Sequence, residues 1–184
     1  MLTTLATEMK IKRALTTDEI EEVRRLFREY EAFLGVDLCF QNFEEELAGL
    51  PGKYAPPDGL LLIAAEGREV SGCVGLRKLE GGACEMKRLF VRPEYRGQGL
   101  GRKLAERIID EAVSLGYSLM RLDTLDKLQE AIRLYESLGF KQREPYYHNP
   151  LSGVLYWELD LSKRKKANKG MRTDGDSAAL HPRR

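Results

Sequence analysis

Histidine and cysteine are scarce in this 184-residue chain, and each scarcity removes a class of function. His148 and His181 are the only histidines, too few to build a histidine-based metal centre, and no metal is expected. Cys39, Cys73 and Cys84 form an odd set without C-x-x-C spacing, which suggests neither a disulfide framework nor a zinc site and fits a reducing cytosol. No apolar run approaches about 18 residues, so no membrane span is expected. Residues 1–8 have neither the basic start nor the apolar segment of a secretory signal and read as a short N-terminal extension. The formal net charge is only +1, and it is unevenly spread: residues 162–184 carry +6, which leaves residues 1–161 at −5. An acidic folded part is a poor nucleic-acid partner, and the basic 162–184 segment reads as a disordered tail. With 42% hydrophobic and 32% charged residues, the remainder suits one soluble domain over 9–161, expected in the cytoplasm.

What is present is organised around Arg96-Gly97-Gln98-Gly99-Leu100-Gly101. Upstream, Met86 to Val91 reads as a strand that stops before Pro93, because proline fixes its own φ and donates no ladder hydrogen bond. Downstream, Leu100, Leu104, Ile108, Ala112 and Leu115 recur at helical spacing, with Gly116 as the expected left-handed stop. Glycines at a helix N-terminus remove the Cβ atoms that would hold a ligand off, leaving free N–H groups and the positive end of the helix dipole for an anion. The Walker A spacing is absent, and Arg102 or Leu104 stands where a dinucleotide-binding G-x-G-x-x-G needs its third glycine.

The rest of the chain predicts a first strand over 9–14 and a helix from a Thr16/Glu19 capping box, its apolar stripe Ile20, Val23, Leu26, Phe27, Tyr30 and Phe33-Leu34, ended by Gly35. A shorter helix is expected from Asn42, as a side-chain cap, to about Leu50. Three strands follow, over 60–65, 70–79 and 84–91, turned at Gly67 and at Gly81-Gly82. After the long helix come a strand at 119–123 parallel to the one before Pro93, a helix at 128–138 closed by Gly139, and strands at 140–143 and 154–161.

Arg-x-x-Gly-x-Gly after a strand, together with Ala131-Ile132-Arg133-Leu134-Tyr135-Glu136-Ser137-Leu138-Gly139-Phe140, resembles the GCN5-related N-acetyltransferases over about residues 9 to 161. The resemblance implies the acyl-CoA N-acyltransferase fold: α+β in three α/β/α layers, with a mixed, mostly antiparallel twisted sheet of about seven strands and a splayed central parallel pair. It implies acetyl-CoA as co-substrate, with Arg96, Gly97, Gln98, Gly99, Leu100, Gly101 and Arg102 at its pyrophosphate. The main chain of Leu89, Phe90 and Val91 would pair with the pantetheine arm like an added strand. Full pairing of that strand with 119–123 would instead close the cleft, and for Arg96 the alternative to meeting phosphate is a surface salt bridge. The family's frequent asparagine before the 131–140 segment is here Leu128.

Transfer of an acetyl group from a thioester to an amine needs a neutral nucleophile, yet a free alkyl amine has a pKa of about 10.4. A base or water chain must take the proton, an acid must meet the departing thiolate, and a fixed N–H must meet the oxyanion. By resemblance Tyr135 is the acid and Glu85 the base, with the donor near Leu89. Against these stand plain core packing for Tyr135, which shares its helix's apolar face, and a solvated strand carboxylate for Glu85. Glu85, four residues before Leu89, is expected on the same strand face. Tyr146, Tyr147, His148 and Asn149 would contact the acceptor, a small amine, an amino acid or a peptide N-terminus, although Asn149-Pro150 also suits a local turn. The chain would act as a monomer or homodimer. No cysteine has an evident activating histidine, which favours direct transfer over a ping-pong route. A non-catalytic acyl-CoA-binding module that regulates a partner is the other reading.

Overall fold

The computed structural model describes residues 8–39 and 42–164; the expected disorder of the tail falls largely outside them. Eleven principal elements occur in the order β1 (Lys10–Arg13), α1 (Thr17–Leu34), α2 (Phe43–Ala48), β2 (Leu60–Glu66), β3 (Glu69–Lys78), β4 (Ala83–Val91), α3 (Leu100–Ser114), β5 (Leu119–Leu125), α4 (Gln129–Leu138), β6 (Lys141–Arg143) and β7 (Val154–Asp160). None of the helices is long and apolar enough to cross a membrane among the described residues.

Local chemistry sets the helix ends. Thr16 accepts from the Glu19 N–H while the Glu19 carboxylate reaches back to the Thr16 N–H, and Gly35 closes α1 at φ 65°. Asn42 departs from expectation: it sits at φ 56° and its side chain caps nothing, because the chain enters α2 from a left-handed turn that asparagine tolerates. Phe33 also departs. It lies on the α1 apolar stripe in sequence but is 48% exposed, its ring carrying the Arg96 guanidinium at 4.3 Å.

The strands form one seven-stranded sheet in the order β1-β2-β3-β4-β5-β7-β6. Leu60, Leu62 and Ala64 of β2 pack under α3, and Leu61, Ile63 and Ala65 pack under α1 and α2. Burial on both faces explains the unbroken apolar run of β2 and gives the three layers. The one parallel junction, β4 with β5, is short: Ala83, Cys84 and Glu85 face Leu119, Met120 and Arg121, and there the pairing ends. β5 continues fully paired to β7 and β4 to β3, so the sheet opens into a V from Met86 onward. The alternative of a closed cleft is excluded.

Inside β4 the register against β3 slips between Cys73↔Phe90 and Gly75↔Lys87. Two residues, Arg88 and Leu89, thus oppose Val74 alone, a β-bulge with Arg88 at φ 59°. The extra residue reverses the alternation of faces. Cys84 and Met86 belong to the core beneath α3, as do Leu89 and Val91 beyond the bulge, whereas Phe90 joins the core beneath α1. Glu85 and Leu89 therefore point to opposite faces, contrary to the period-two expectation.

Gly75, opposite Lys87, leaves room for the Tyr54 ring: an added Cβ would lie 2.6 Å from one ring carbon and 2.9 Å from another. Tyr54 is 2% exposed and has little space to retreat. Gly75→Ala is expected to lower the unfolding free energy by about 1–3 kcal/mol, the usual cost of overpacking, as read from a urea denaturation midpoint.

Candidate active site

The V between β4 and β5 is a cleft of about 520 Å³ walled by the C-terminal end of α1, the bulged half of β4, the glycine turn, the second half of β5 and the start of α4. Gly97, Gly99, Leu100 and Gly101 line its mouth, whereas Gln98 does not. Gly97 and Gly99 have φ of 76° and 75°, and a Cβ at either would meet nothing within 4 Å. No side chain caps the first turn of α3. The turn is thus an open cradle of main-chain N–H groups at the N-terminus of a 15-residue helix, a fit for a pyrophosphate.

Arg96 lines the cleft, donating from Nε to the Val91 carbonyl at 2.9 Å and stacking on Phe33 and on Phe90 at 5.6 Å. It forms no ion pair among the described residues. Arg102 turns away, its guanidinium donating to Ser137 Oγ at 2.6 Å and lying 3.4 Å from Glu106. Leu89, Phe90 and Val91 line the wall where β4 has left β5, and Leu128 lines it at the start of α4.

Tyr135 also lines the cleft. Its ring packs edge-on against Phe140, centroids 5.8 Å apart, and it is 7% exposed, so packing is part of its role. Its hydroxyl makes no hydrogen bond to another described residue, and its oxygen is not among the sealed, unpartnered polar atoms, so it opens to the cleft. Burial pushes its phenol pKa well up, so the proton stays on the oxygen. The same interior raises thiols, Cys84 to about 12, chiefly through burial.

Glu85 is neither in the cleft nor solvated. It is 1% exposed, with Oε2 2.6 Å from Arg77 Nε and Oε1 accepting from the Tyr146 hydroxyl at 2.7 Å. Both oxygens are engaged, by Arg77 and by Tyr146, and Glu85, expected as the base, is not among the residues that line the cleft. Tyr146 is held there too, beneath the guanidinium groups of Arg121 and Arg143 at 5.6 Å each. His148 is exposed away from the cleft, and only Asn149 of its segment lines it.

Besides the exposed Glu130 on α4, the carboxylate that lines the cleft is Asp123, two residues beyond the last β4–β5 pair and missed by sequence reasoning. Lys87 Nζ donates to its Oδ1 at 3.0 Å and stands 3.9 Å from Glu85. Tyr147 donates to Asp123 and accepts from Asn149 Nδ2 at 2.9 Å. Burial alone would raise the Asp123 carboxyl, but the neighbouring Lys87 ammonium and the Tyr147 hydroxyl hold it below the usual carboxylate range. It is ionised at neutral pH. Lys87, Arg88, Glu85 and Asp123 were detectable as charges inside apolar strands, since a buried charge requires a partner.

A sheet opened at its parallel junction, with an anion cradle at the mouth and an unpaired phenol inside, defines the class of acyl-CoA N-acyltransferases. The acetyltransferase (GNAT) family model matches residues 20–140, and the chain belongs to that family of acetyl-CoA-dependent acyltransferases. A Schizosaccharomyces pombe protein named as an N-acetyltransferase is 49% identical over 147 residues, covering 79% of this chain and 90% of its own. A Dictyostelium discoideum N-acetyltransferase is 34% identical over 83% of this chain and all of its own. Among solved structures, a Staphylococcus aureus GNAT acetyltransferase matches with TM-score 0.71 at 20% identity, covering 84% of this chain and 100% of that one. The Salmonella typhimurium yncA structure, which contains its cofactor acetyl-CoA, matches with TM-score 0.64 at 23% identity, over 84% and 95%. At these identities the two structures bear on the fold.

Proposed function

We propose that residues 9–161 form an N-acetyltransferase unit that passes the acetyl group of acetyl-CoA directly to a primary amine, a small amine, an amino acid or a peptide N-terminus, in a reducing cytosol. The observation that carries this reading is the unpartnered Tyr135 hydroxyl in the same cleft as the ionised Asp123, at the point where β4 leaves β5. Acetyl-CoA supplies the activated thioester. The cradle of Gly97, Gly99 and Gly101, with Arg96 beside it, holds the pyrophosphate, and the free edge of β4 at Leu89 to Val91 holds the pantetheine arm. A main-chain N–H at the bulge meets the oxyanion as it forms. Tyr135 gives its proton to the sulfur as the C–S bond breaks.

Asp123 holds the incoming nitrogen, and the proton released as the C–N bond forms passes to Asp123 or to water beside it. Glu85 acts from behind, fixing Lys87 and Tyr146. The rim on the α1 side, with Leu34, Val36, Leu38, Leu125 and Leu151, favours an acceptor with an apolar group near the amine. None of the three cysteines lines the cleft, and burial raises the Cys73 and Cys84 thiols, which supports direct transfer over an acetyl-cysteine.

Asp123→Asn keeps the side-chain volume and removes the charge. Its kcat/KM for the amine is expected to fall by about 10²-fold or more, with acetyl-CoA affinity unchanged. Steady-state kinetics with thiol detection reads it, and an unaltered kcat/KM would remove Asp123 from the reaction.

A further inference from the structure

The β4 bulge places an arginine where a glycine is the ordinary occupant. In bulges of this kind the first residue takes a left-handed conformation that favours glycine, yet Arg88 stands there at φ 59°. Such a conformation persists only where the surroundings fix it. Arg88 is held from all sides. Its Nε and Nη2 reach the two carboxylate oxygens of Glu46 at 3.2 and 2.7 Å, and its guanidinium lies over Phe43 at 5.0 Å and Tyr30 at 6.0 Å. Glu46 is fixed in turn by the Tyr54 hydroxyl at 2.7 Å, and Tyr54 occupies the space that Gly75 leaves open. The Arg88 carbonyl accepts from the Cys73 thiol at 3.5 Å.

We propose that the buried Glu46–Arg88 pair is a positioning device that holds the β4 bulge, and with it the free main-chain edge of Leu89 to Val91, in the geometry required for acetyl transfer. Glu46 and Phe43 lie on α2, so the device ties that helix to the bulge. A buried ion pair is a weak source of net stability, since desolvation offsets the attraction, but its bidentate geometry specifies one arrangement. Here that arrangement is a backbone conformation arginine would otherwise leave, next to the place where β4 loses its β5 partner. Both residues act through the main chain of β4. The proposal rests on the transferase reading above.

The test uses two double variants, Glu46→Gln/Arg88→Gly and Glu46→Gln/Arg88→Ala. Both lack the ion pair, neither leaves a lone buried charge, and both lose the same aromatic contacts. They differ in how readily residue 88 adopts a positive φ. The glycine variant is expected to keep a kcat about 5- to 30-fold above the alanine variant, the factor that corresponds to the cost of a left-handed non-glycine residue. Acetyl-CoA affinity by calorimetry should be alike in the two. Equal kcat values, or a lower one for glycine, would overturn the proposal, because a merely structural pair would be missed equally in both.

Hydrogen exchange supplies a readout independent of turnover. Amides of residues 86–91 should exchange faster in the alanine variant than in the glycine variant, with α3 unaffected; identical exchange would also overturn the proposal. Should either double variant fail to fold, Tyr54→Phe removes one hydrogen bond to Glu46 and keeps the ring. A measurable fall in kcat at constant acetyl-CoA affinity is then expected, and an unchanged kcat contradicts the device. If the wild-type protein turns over no amine, the transferase reading fails, while exchange of residues 86–91 in the wild type against the alanine variant still decides whether the pair holds the bulge: faster exchange in the variant supports it and equal exchange overturns it.

Discussion

Tyr135→Phe is expected to lower kcat by about 10²- to 10⁴-fold, the usual cost of losing a positioned proton donor. The substitution removes one oxygen and keeps the ring that packs edge-on against Phe140. A tyrosine whose hydroxyl bonded to the protein would lose stability with it, but this hydroxyl has no such partner among the described residues. The melting temperature should therefore stay close to that of the wild type. Because the proton is needed as the C–S bond breaks, acetyl-CoA affinity should also hold, and the loss should appear in kcat. A variant with wild-type kcat and an intact fold would assign the proton to water or to the acceptor's own nitrogen.

The second large effect belongs to the glycine turn. Gly99→Asp is expected to weaken CoA binding by about 10²-fold or more, since like charges about 5 Å apart repel by about 3 kcal/mol at an effective dielectric constant near 20. Gly99 has φ 75°, and a Cβ added there meets no protein atom within 4 Å, so the position has room for a side chain. Aspartate tolerates the left-handed conformation better than most residues, which keeps the fold. Gly99→Asn carries the same backbone cost without the charge and should lose much less affinity. Calorimetric titration with CoA separates the two, and equal affinities for both variants and the wild type would place the pyrophosphate elsewhere.

These two sites were legible in the sequence for a shared reason: each is a short stretch whose role is set locally. Three glycines ahead of a helical repeat announce a cradle, and the 131–140 segment carries its tyrosine at a fixed place in one helix. The capping box at Thr16 and the left-handed stops at Gly35 and Gly139 are local in the same sense. The splay of β4 from β5 was expected through resemblance alone, since periodicity does not say where a strand pair stops.

What remained hidden is non-local. Asp123 meets Lys87 across 36 positions and Glu46 meets Arg88 across 42, and no pattern within any of the elements that carry them names the partner. Glu85 shows how a local rule fails. Counting by twos put it on the Leu89 face, but the bulge at Arg88 reverses the alternation, and Arg77 and Tyr146 then claim both of its oxygens. A bulge normally signalled by glycine was invisible because arginine fills it, stabilised by contacts from α1 and α2.

The central claim is direct acetyl transfer in the β4–β5 cleft, and the most direct test follows both products in one reaction. Purified protein is mixed with acetyl-CoA and a panel of primary amines that spans small amines, amino acids with apolar side chains and short peptides. Free thiol is measured by absorbance, and the amine and the intact protein are followed by mass spectrometry. Direct transfer predicts that thiol appears only when an amine is present, in equal amount to the acetylated amine, with no acetyl group on the protein. Thiol release accompanied by an acetylated protein before any amine is added, or tight acetyl-CoA binding without thiol release across the whole panel, would contradict it.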